Sequence, residues 1–118
     1  MKTLGICLGA STISVAAVAR ERGENRILSG RIWPHDCNPR KTLLAALNAY
    51  DPASFDRVAA TGRKFRELVD VTAISEPEAV EHAYRHVRPP GVFCPAIVSA
   101  GGETFMAASL GEGETADA

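Results

Sequence analysis

The chain has 118 residues, of which 46% are hydrophobic and 23% charged, with a formal net charge of −1. This is enough for one packed domain, or for one lobe and the start of another. The balanced charge predicts no nucleic-acid partner and no membrane partner, and no apolar run is long enough to cross a bilayer.

The first part of the chain predicts three antiparallel strands, at residues 4–8, 13–19 and 27–33. The first two are joined by a Gly-Ala-Ser-Thr turn at residues 9–12, and the next two by a charged, glycine-containing turn at 20–25. Proline cannot donate to a sheet ladder, so Pro34 ends the third strand.

A helix is predicted after the loop at residues 35–38. Asn38 can cap it, and Pro39 suits its first position. The helix then carries apolar residues at helical spacing until Asp51-Pro52 ends it: Leu43, Leu44, Leu47 and Tyr50.

The next segment predicts two short strands, at residues 56–62 and 69–74, with one helical turn at 64–68 between them. Ser75 is a candidate cap for a second helix, because Glu78 three residues later completes a capping-box pattern. The helix is expected to stop at the Pro-Pro-Gly sequence of residues 89–91.

A final hairpin is predicted at residues 97–110, before a short acidic tail. The predicted order indicates an α/β fold, with a mixed five-stranded sheet and flanking helices. We expect residues 1–95 to form a first lobe and residues 96–118 to open a second, incomplete one. If the chain is a fragment, the exposed edge of that last hairpin would favour either a homodimer or disorder.

Residues 5–18 and 97–110 have the same pattern, an apolar strand, a turn of small residues and a second apolar strand. Aligned, Gly9 falls on Gly101 and Thr12 on Thr104. Glycine lets the backbone approach a ligand, and the amides and hydroxyls of such a turn can hold a phosphate. The pair therefore predicts a nucleotide held from two sides. Ordinary glycine-containing hairpins are the alternative that the residues leave open.

These motifs resemble the N-terminal part of the activator ATPases of 2-hydroxyacyl-CoA dehydratases and benzoyl-CoA reductases (the BadF/BcrA type), within the actin, sugar kinase and Hsp70 superfamily. The family's opening Gly-Ile-Asp-x-Gly-Ser-Thr-Thr-Thr-Lys is similar to residues 5–14, and its Asp-Ile-Gly-Gly-Gln-Asp-x-Lys to residues 99–106. Between these two motifs, the family's Ala-Thr-Gly-x-(Gly)-Arg element resembles residues 60–63. Its Ser-Glu pair resembles residues 75–76, and the His-Ala pair of its following helix resembles residues 82–83.

The resemblance implies an RNase H-like lobe and ATP as ligand. It also implies that a CoA-dependent dehydratase or reductase is the partner, and that ATP drives the activation of this partner enzyme. A cytoplasmic location is predicted separately, because the N-terminus lacks a signal-peptide pattern and the three cysteines lack metal-site spacing. The residues expected to contact the nucleotide are Gly9, Ala10, Ser11, Thr12, Gly101, Gly102, Glu103 and Glu76. No catalytic residue and no metal ligand are assigned.

The departures from the family concern its metal chemistry. Cys7 and Ser99 stand where the family has acidic residues, and Ser14 and Met106 where it has lysines. A thiol is a poor ligand for Mg²⁺, which prefers oxygen, so Mg²⁺ binding is doubtful and the chain alone is not expected to hydrolyse ATP. The family's iron–sulfur ligands lie beyond this sequence, and no cysteine here is assigned to a cluster.

Two other functions stay open. One is a non-catalytic nucleotide-fold module of a larger activase, which the missing acids and lysines favour. The other is a small-molecule kinase of the N-acetylglucosamine kinase type. That kinase would need a catalytic aspartate between the lobes, and none can be placed in this sequence.

Further candidate groups have ordinary interpretations. Residues 35–37, His-Asp-Cys, are expected to be a connecting loop, since a short cluster seldom completes a metal site. The face bearing Glu78, His82 and His86 is expected to be solvated. Arg63 is either a ligand contact or a surface charge, and Cys7 is expected to be a buried core thiol.

Overall fold

The computed structural model describes residues 1–62, 72–100 and 105–109. The chain divides into two compact units, Met1–Ile74 and Ser75–Ala118. The lobe boundary expected between residues 95 and 96 stays a prediction.

The predicted three-stranded meander is confirmed, with longer strands. β1 (Lys2–Leu8), β2 (Thr12–Glu21) and β3 (Glu24–Pro34) pair antiparallel in chain order. Arg22 and Gly23 alone form the second turn, with φ values of 53° and 78°. Two left-handed residues in succession match the twist of a hairpin. The ladder therefore extends into the charged segment that the sequence assigned to a loop.

The predicted mixed sheet is also confirmed. β4 (Arg57–Thr61) pairs parallel to β1, and β5 (Thr72–Ala73) pairs parallel to β4. The strand order in the five-stranded sheet is β3-β2-β1-β4-β5. Only part of the fifth predicted strand is seen, because residues 69–71 lie outside the described residues, as does the helical turn predicted at 64–68.

The first helix, α1 (Pro39–Tyr50), begins where the sequence predicted. The Asn38 side chain accepts a hydrogen bond from the Lys41 amide at 3.3 Å. At the other end Asp51 adopts a left-handed φ of 49° and its amide donates to the Leu47 carbonyl. A short 3-10 helix (Pro52–Ser54) then leads into β4. The helix supplies the crossover that two parallel strands require.

The core lies on the face of the sheet that α1 covers. Leu4 is 1% exposed and Ile13 is 0% exposed. The core consists of alternate residues of three strands together with two residues of α1: Leu4, Ile6, Leu8, Ile13, Val15, Ala17, Ala60, Leu43 and Ala46. At its border the Tyr50 hydroxyl is 2.7 Å from Ser29 Oγ, so the end of α1 is tied to β3.

The second unit contains α2 (Glu76–Val87) and a two-stranded antiparallel hairpin of β6 (Ala96–Ala100) and β7 (Phe105–Ser109). The predicted cap is confirmed, as Ser75 Oγ accepts from the Glu78 amide at 3.4 Å. No residue of α2 is buried. Among the described residues, no helix is long and apolar enough to cross a membrane.

Candidate functional site

The turn that joins β1 to β2, residues 9–12, is open to solvent. Gly9, Ala10 and Ser11 are exposed, and Thr12 is half-buried. The Gly9 amide donates to the Thr12 carbonyl at 2.8 Å, which closes the loop at its base. A Cβ on Gly9 would lie 3.1 Å from that same carbonyl oxygen, so the closed turn fits glycine best. This exposed position is what a phosphate-binding turn needs.

The tip of the turn offers hydrogen-bond donors. Within residues 1–62, 72–100 and 105–109, the amides of Ala10 and Ser11 donate to no protein group. Successive unpaired amides in a turn form a concave donor surface that suits an anion. No lysine or arginine lies in the turn itself, so the backbone and two hydroxyls supply its donors.

The ends of two parallel strands meet beside the turn. β1 ends at Leu8 and β4 at Thr61, which pairs in register with Cys7. Gly62 follows with a φ of 125°, and a Cβ there would lie 2.4 Å from the Leu8 carbonyl oxygen. The backbone of β4 therefore packs directly on the strand that carries the turn. Thr61 Oγ1 is buried and has no hydrogen-bond partner among the described residues.

The prediction that Cys7 is a buried core thiol is wrong. Cys7 is half-buried, and it alternates with the core residues Ile6 and Leu8. Successive side chains of a strand point to opposite faces, so Cys7 lies on the face away from α1. Ser14, where the family has lysine, pairs with Cys7 across β1 and β2 and lies on that same face.

The second predicted turn falls at residues 101–104, outside the described residues, and so Gly101, Gly102 and Glu103 stay predictions. Its flanking strands can be compared with those of the first turn. Leu8 pairs with Ile13, and Ala100 pairs with Phe105. Both hairpins therefore leave four residues, 9–12 and 101–104, between their last pairs. This common register supports the alignment of the two segments.

Glu76 is the first residue of α2 and is half-buried. Together with Glu78 it places acidic side chains in the first helical turn, where the helix dipole favours them. It belongs to the second compact unit, whereas the Gly9–Thr12 turn belongs to the first. Its role as a nucleotide contact stays a prediction.

Sequence reasoning missed His35. The loop interpretation suits Asp36 and Cys37, which are exposed, but His35 is 7% exposed. Its ring Nε2 lies 3.1 Å from the Gly9 carbonyl oxygen, and its backbone amide donates to the Ser11 carbonyl at 3.0 Å. The signal was the strand register, because pairing Thr12 with Pro34 brings the next residue beside the turn.

The remaining candidates form no cluster. Glu78, His82 and His86 are exposed on α2, and the ion pair of that helix is Arg85 with Glu81 at 2.7 Å. Among the described residues, no group of three or more His, Cys, Asp or Glu side chains could hold a metal ion. Arg63 lies outside the described residues.

No protein-family model matches this chain, and no curated protein matches it. Solved structures do match its fold. One is the activator of 2-hydroxyisocaproyl-CoA dehydratase from Clostridium difficile with bound ADPNP. The TM-score is 0.67 at 16% identity, over 92% of this chain and 46% of that one.

An exopolyphosphatase from Cytophaga hutchinsonii matches with a TM-score of 0.63 at 13% identity, over 99% of this chain and 53% of that one. A member of the Ppx/GppA family from Aquifex aeolicus matches with a TM-score of 0.51 at 15% identity, over 93% and 51%. The chain thus spans about half of each of these proteins. At these identities the likeness concerns the fold alone, and it supports the α/β fold with a mixed sheet described above.

Proposed function

We propose that this chain is the N-terminal part of an activator-type ATPase domain and that its Gly9–Thr12 turn binds the phosphates of a nucleotide. The observation that carries the proposal is the open turn. Its base is closed by the Gly9–Thr12 hydrogen bond, and its tip presents the Ala10 and Ser11 amides without partners in the described part of the chain. Backbone donors of this kind bind phosphate oxygens without requiring a side-chain cation.

The position of the turn in the fold supports the same ligand. It follows β1, at the edge of the sheet where the parallel strands β1 and β4 end. In open α/β sheets, ligands bind outside the carboxyl ends of the parallel strands. The activator from Clostridium difficile, which has this fold, was crystallised with the nucleotide analogue ADPNP.

The residues do not fit a magnesium ion at the position that the family resemblance indicates. Cys7 offers a half-buried thiol, and Ser99 of β6 a half-buried hydroxyl, where carboxylates would be required. Mg²⁺ takes oxygen ligands, most often carboxylates and water. We therefore assign no metal-dependent step to this chain, and we expect no ATP hydrolysis by the chain alone.

In the intact protein, the proposed role is ATP-driven activation of a 2-hydroxyacyl-CoA dehydratase or reductase, with a second lobe completing the nucleotide site. The likeness to the dehydratase activator supports this role. Glu76, Gly101, Gly102 and Glu103 are the proposed contacts from the rest of the chain. Neither an iron–sulfur cluster nor a cluster ligand is assigned to the present residues.

A second candidate is binding of an inorganic polyphosphate. It is favoured by the likeness to the exopolyphosphatase, which covers 99% of this chain. An amide-lined turn recognises phosphate oxygens rather than a base, so the turn alone accommodates either ligand. The two candidates differ in whether the adenosine portion contributes to affinity.

The test is a titration of the isotopically labelled full chain, followed by its amide NMR signals. We expect ATP to shift the Ala10 and Ser11 signals, with saturation below about 10 mM. Gly9→Val should weaken binding because a side chain there crowds the Thr12 carbonyl. Gly5→Ala is the matched control, since its Cβ would come no closer than 3.9 Å to the Ala16 carbonyl oxygen.

Three further results separate the candidates. Equal affinity for tripolyphosphate and ATP would favour polyphosphate. Glucosamine-dependent ATP turnover would favour the sugar kinase. If neither ATP nor tripolyphosphate changes the signals of residues 9–12, the proposed phosphate site is refuted.

A further inference from the structure

His35 is placed unusually for a histidine in a connecting loop. It directly follows β3 and is 7% exposed, and among the described residues it is the polar side chain that the fold buries. Its carbonyl accepts from the Asn38 amide at 2.7 Å, and its other hydrogen bonds are to the phosphate-binding turn proposed above. A buried imidazole beside a solvent-exposed turn requires an explanation that a linker role does not provide.

Two hydrogen bonds join His35 to the turn. The backbone amide donates to the Ser11 carbonyl at 3.0 Å, and ring Nε2 lies 3.1 Å from the Gly9 carbonyl oxygen. A carbonyl oxygen can only accept, so Nε2 must carry the proton and act as the donor. Any residue could supply the backbone bond. The bond to Gly9 depends on the imidazole.

The bond to Gly9 determines where the next amide points. In a trans peptide the C=O and the following N–H point in opposite directions across one plane. The chain contains no cis peptide among its described residues. Holding the Gly9 carbonyl toward the buried His35 ring therefore turns the Ala10 N–H away from it. That amide, like the Ser11 amide, has no hydrogen-bond acceptor among the described residues.

The other ring nitrogen argues against a purely structural role. His35 Nδ1 is buried and has no hydrogen-bond partner in the described part of the chain. A buried, unsatisfied polar atom destabilises the folded state. An apolar side chain would fill the same space without this cost, so packing alone does not account for a histidine here. The contact that uses its chemistry is the Nε2–Gly9 bond.

We propose that His35 is a positioning residue for phosphate binding: it fixes the Gly9–Ala10 peptide plane so that the Ala10 amide is presented to a phosphate oxygen. This inference rests on the function proposed above. The turn has no lysine or arginine of its own, and its orientation would then depend on a residue that directly follows the C-terminal end of β3.

The test uses two variants of the full chain, His35→Gln and His35→Leu. The Gln Nε2 amide lies about as far from the backbone as the His Nε2 and can donate to Gly9, whereas Leu fills the space without a donor. We expect His35→Leu to fold with an unfolding midpoint at or above that of the wild type but to bind ATP about tenfold more weakly. His35→Gln should restore most of the affinity.

The outcomes separate this inference from the proposed function. If the wild type binds ATP and the folded Leu variant binds equally well, the positioning role is refuted and the phosphate site stands. The same holds if Gln and Leu weaken binding equally although both fold. If the wild type does not bind ATP or tripolyphosphate, the phosphate site itself is refuted, and the positioning role with it.

Discussion

Among the glycines that the structure describes, Gly62 is the one where an added methyl group should destabilise the fold most. It follows β4 with a φ of 125°, and an added Cβ would lie 2.4 Å from the Leu8 carbonyl oxygen and 3.1 Å from the Leu8 Cβ. The atom that it would meet is backbone, at the end of the central strand β1, so no side-chain rotation relieves the overlap. Gly62→Ala must therefore separate β4 from β1 or distort both.

Two contributions add to the cost. An L-residue in a sparsely populated backbone region costs about 1–3 kcal/mol. Accommodating an overlap in a packed region costs about 1–3 kcal/mol more. We expect a loss of about 4 kcal/mol in the free energy of unfolding, which lowers the melting temperature of a domain of this size by roughly 16 °C.

Gly23→Ala is the matched control. Gly23 also has a positive φ, 78°, but an added Cβ would meet nothing within 4 Å. Only the cost of a left-handed backbone conformation remains, about 1 kcal/mol, so the melting temperature of Gly23→Ala should fall by roughly 4 °C. Thermal unfolding followed by circular dichroism measures both variants. Equal decreases in the melting temperatures of the two variants would show that Gly62 does not pack closely against Leu8, and the described strand junction would be wrong.

Three other sets of substitutions test the fold. Ile13→Ala leaves a cavity at a fully buried position and should lower the free energy of unfolding, measured in urea, by about 2–5 kcal/mol. Ile32→Ala, at a residue 69% exposed, should change it by less than about 0.5 kcal/mol. Similar losses in the two variants would refute the one-sided core. Asn38→Ala removes the cap of α1 and should lower the free energy of unfolding by about 1 kcal/mol. Asn38→Asp should retain most of the wild-type stability, since aspartate caps helices as well. An Ala variant as stable as the wild type would contradict the cap. Tyr50→Phe and Ser29→Ala should each lower the free energy of unfolding by about 1 kcal/mol. The two losses should not add in the double variant, because both substitutions remove the same 2.7 Å hydrogen bond. Full additivity would show that this hydrogen bond does not contribute to stability.

Much of the fold could be predicted because its signals are local. The alternation of core and non-core residues in β2 fixes which side chains face α1. Asn38-Pro39 and Ser75 mark the two helix starts through hydrogen bonds that span only three residues. Such features need no knowledge of distant partners, and the structure confirms them.

Strand ends and core membership were less predictable. The length of β2 and β3 depended on the Arg22-Gly23 turn adopting two left-handed residues. Cys7 was misplaced because an apolar strand can be buried on both faces, and only the packing of α1 on one face decides which alternate residues form the core.

The sequence by itself determined the order of the elements, their caps and the glycine turn between β1 and β2. What only the tertiary structure decided is how that turn is held. His35 is separated from Gly9 by 26 residues and contacts it because β3 pairs with β2 in one particular register. Gly62 reaches Leu8 because β4 crosses over to lie parallel to β1. Local patterns encode periodicity and turns, whereas contacts between distant strands depend on register, which is fixed only when the whole sheet assembles.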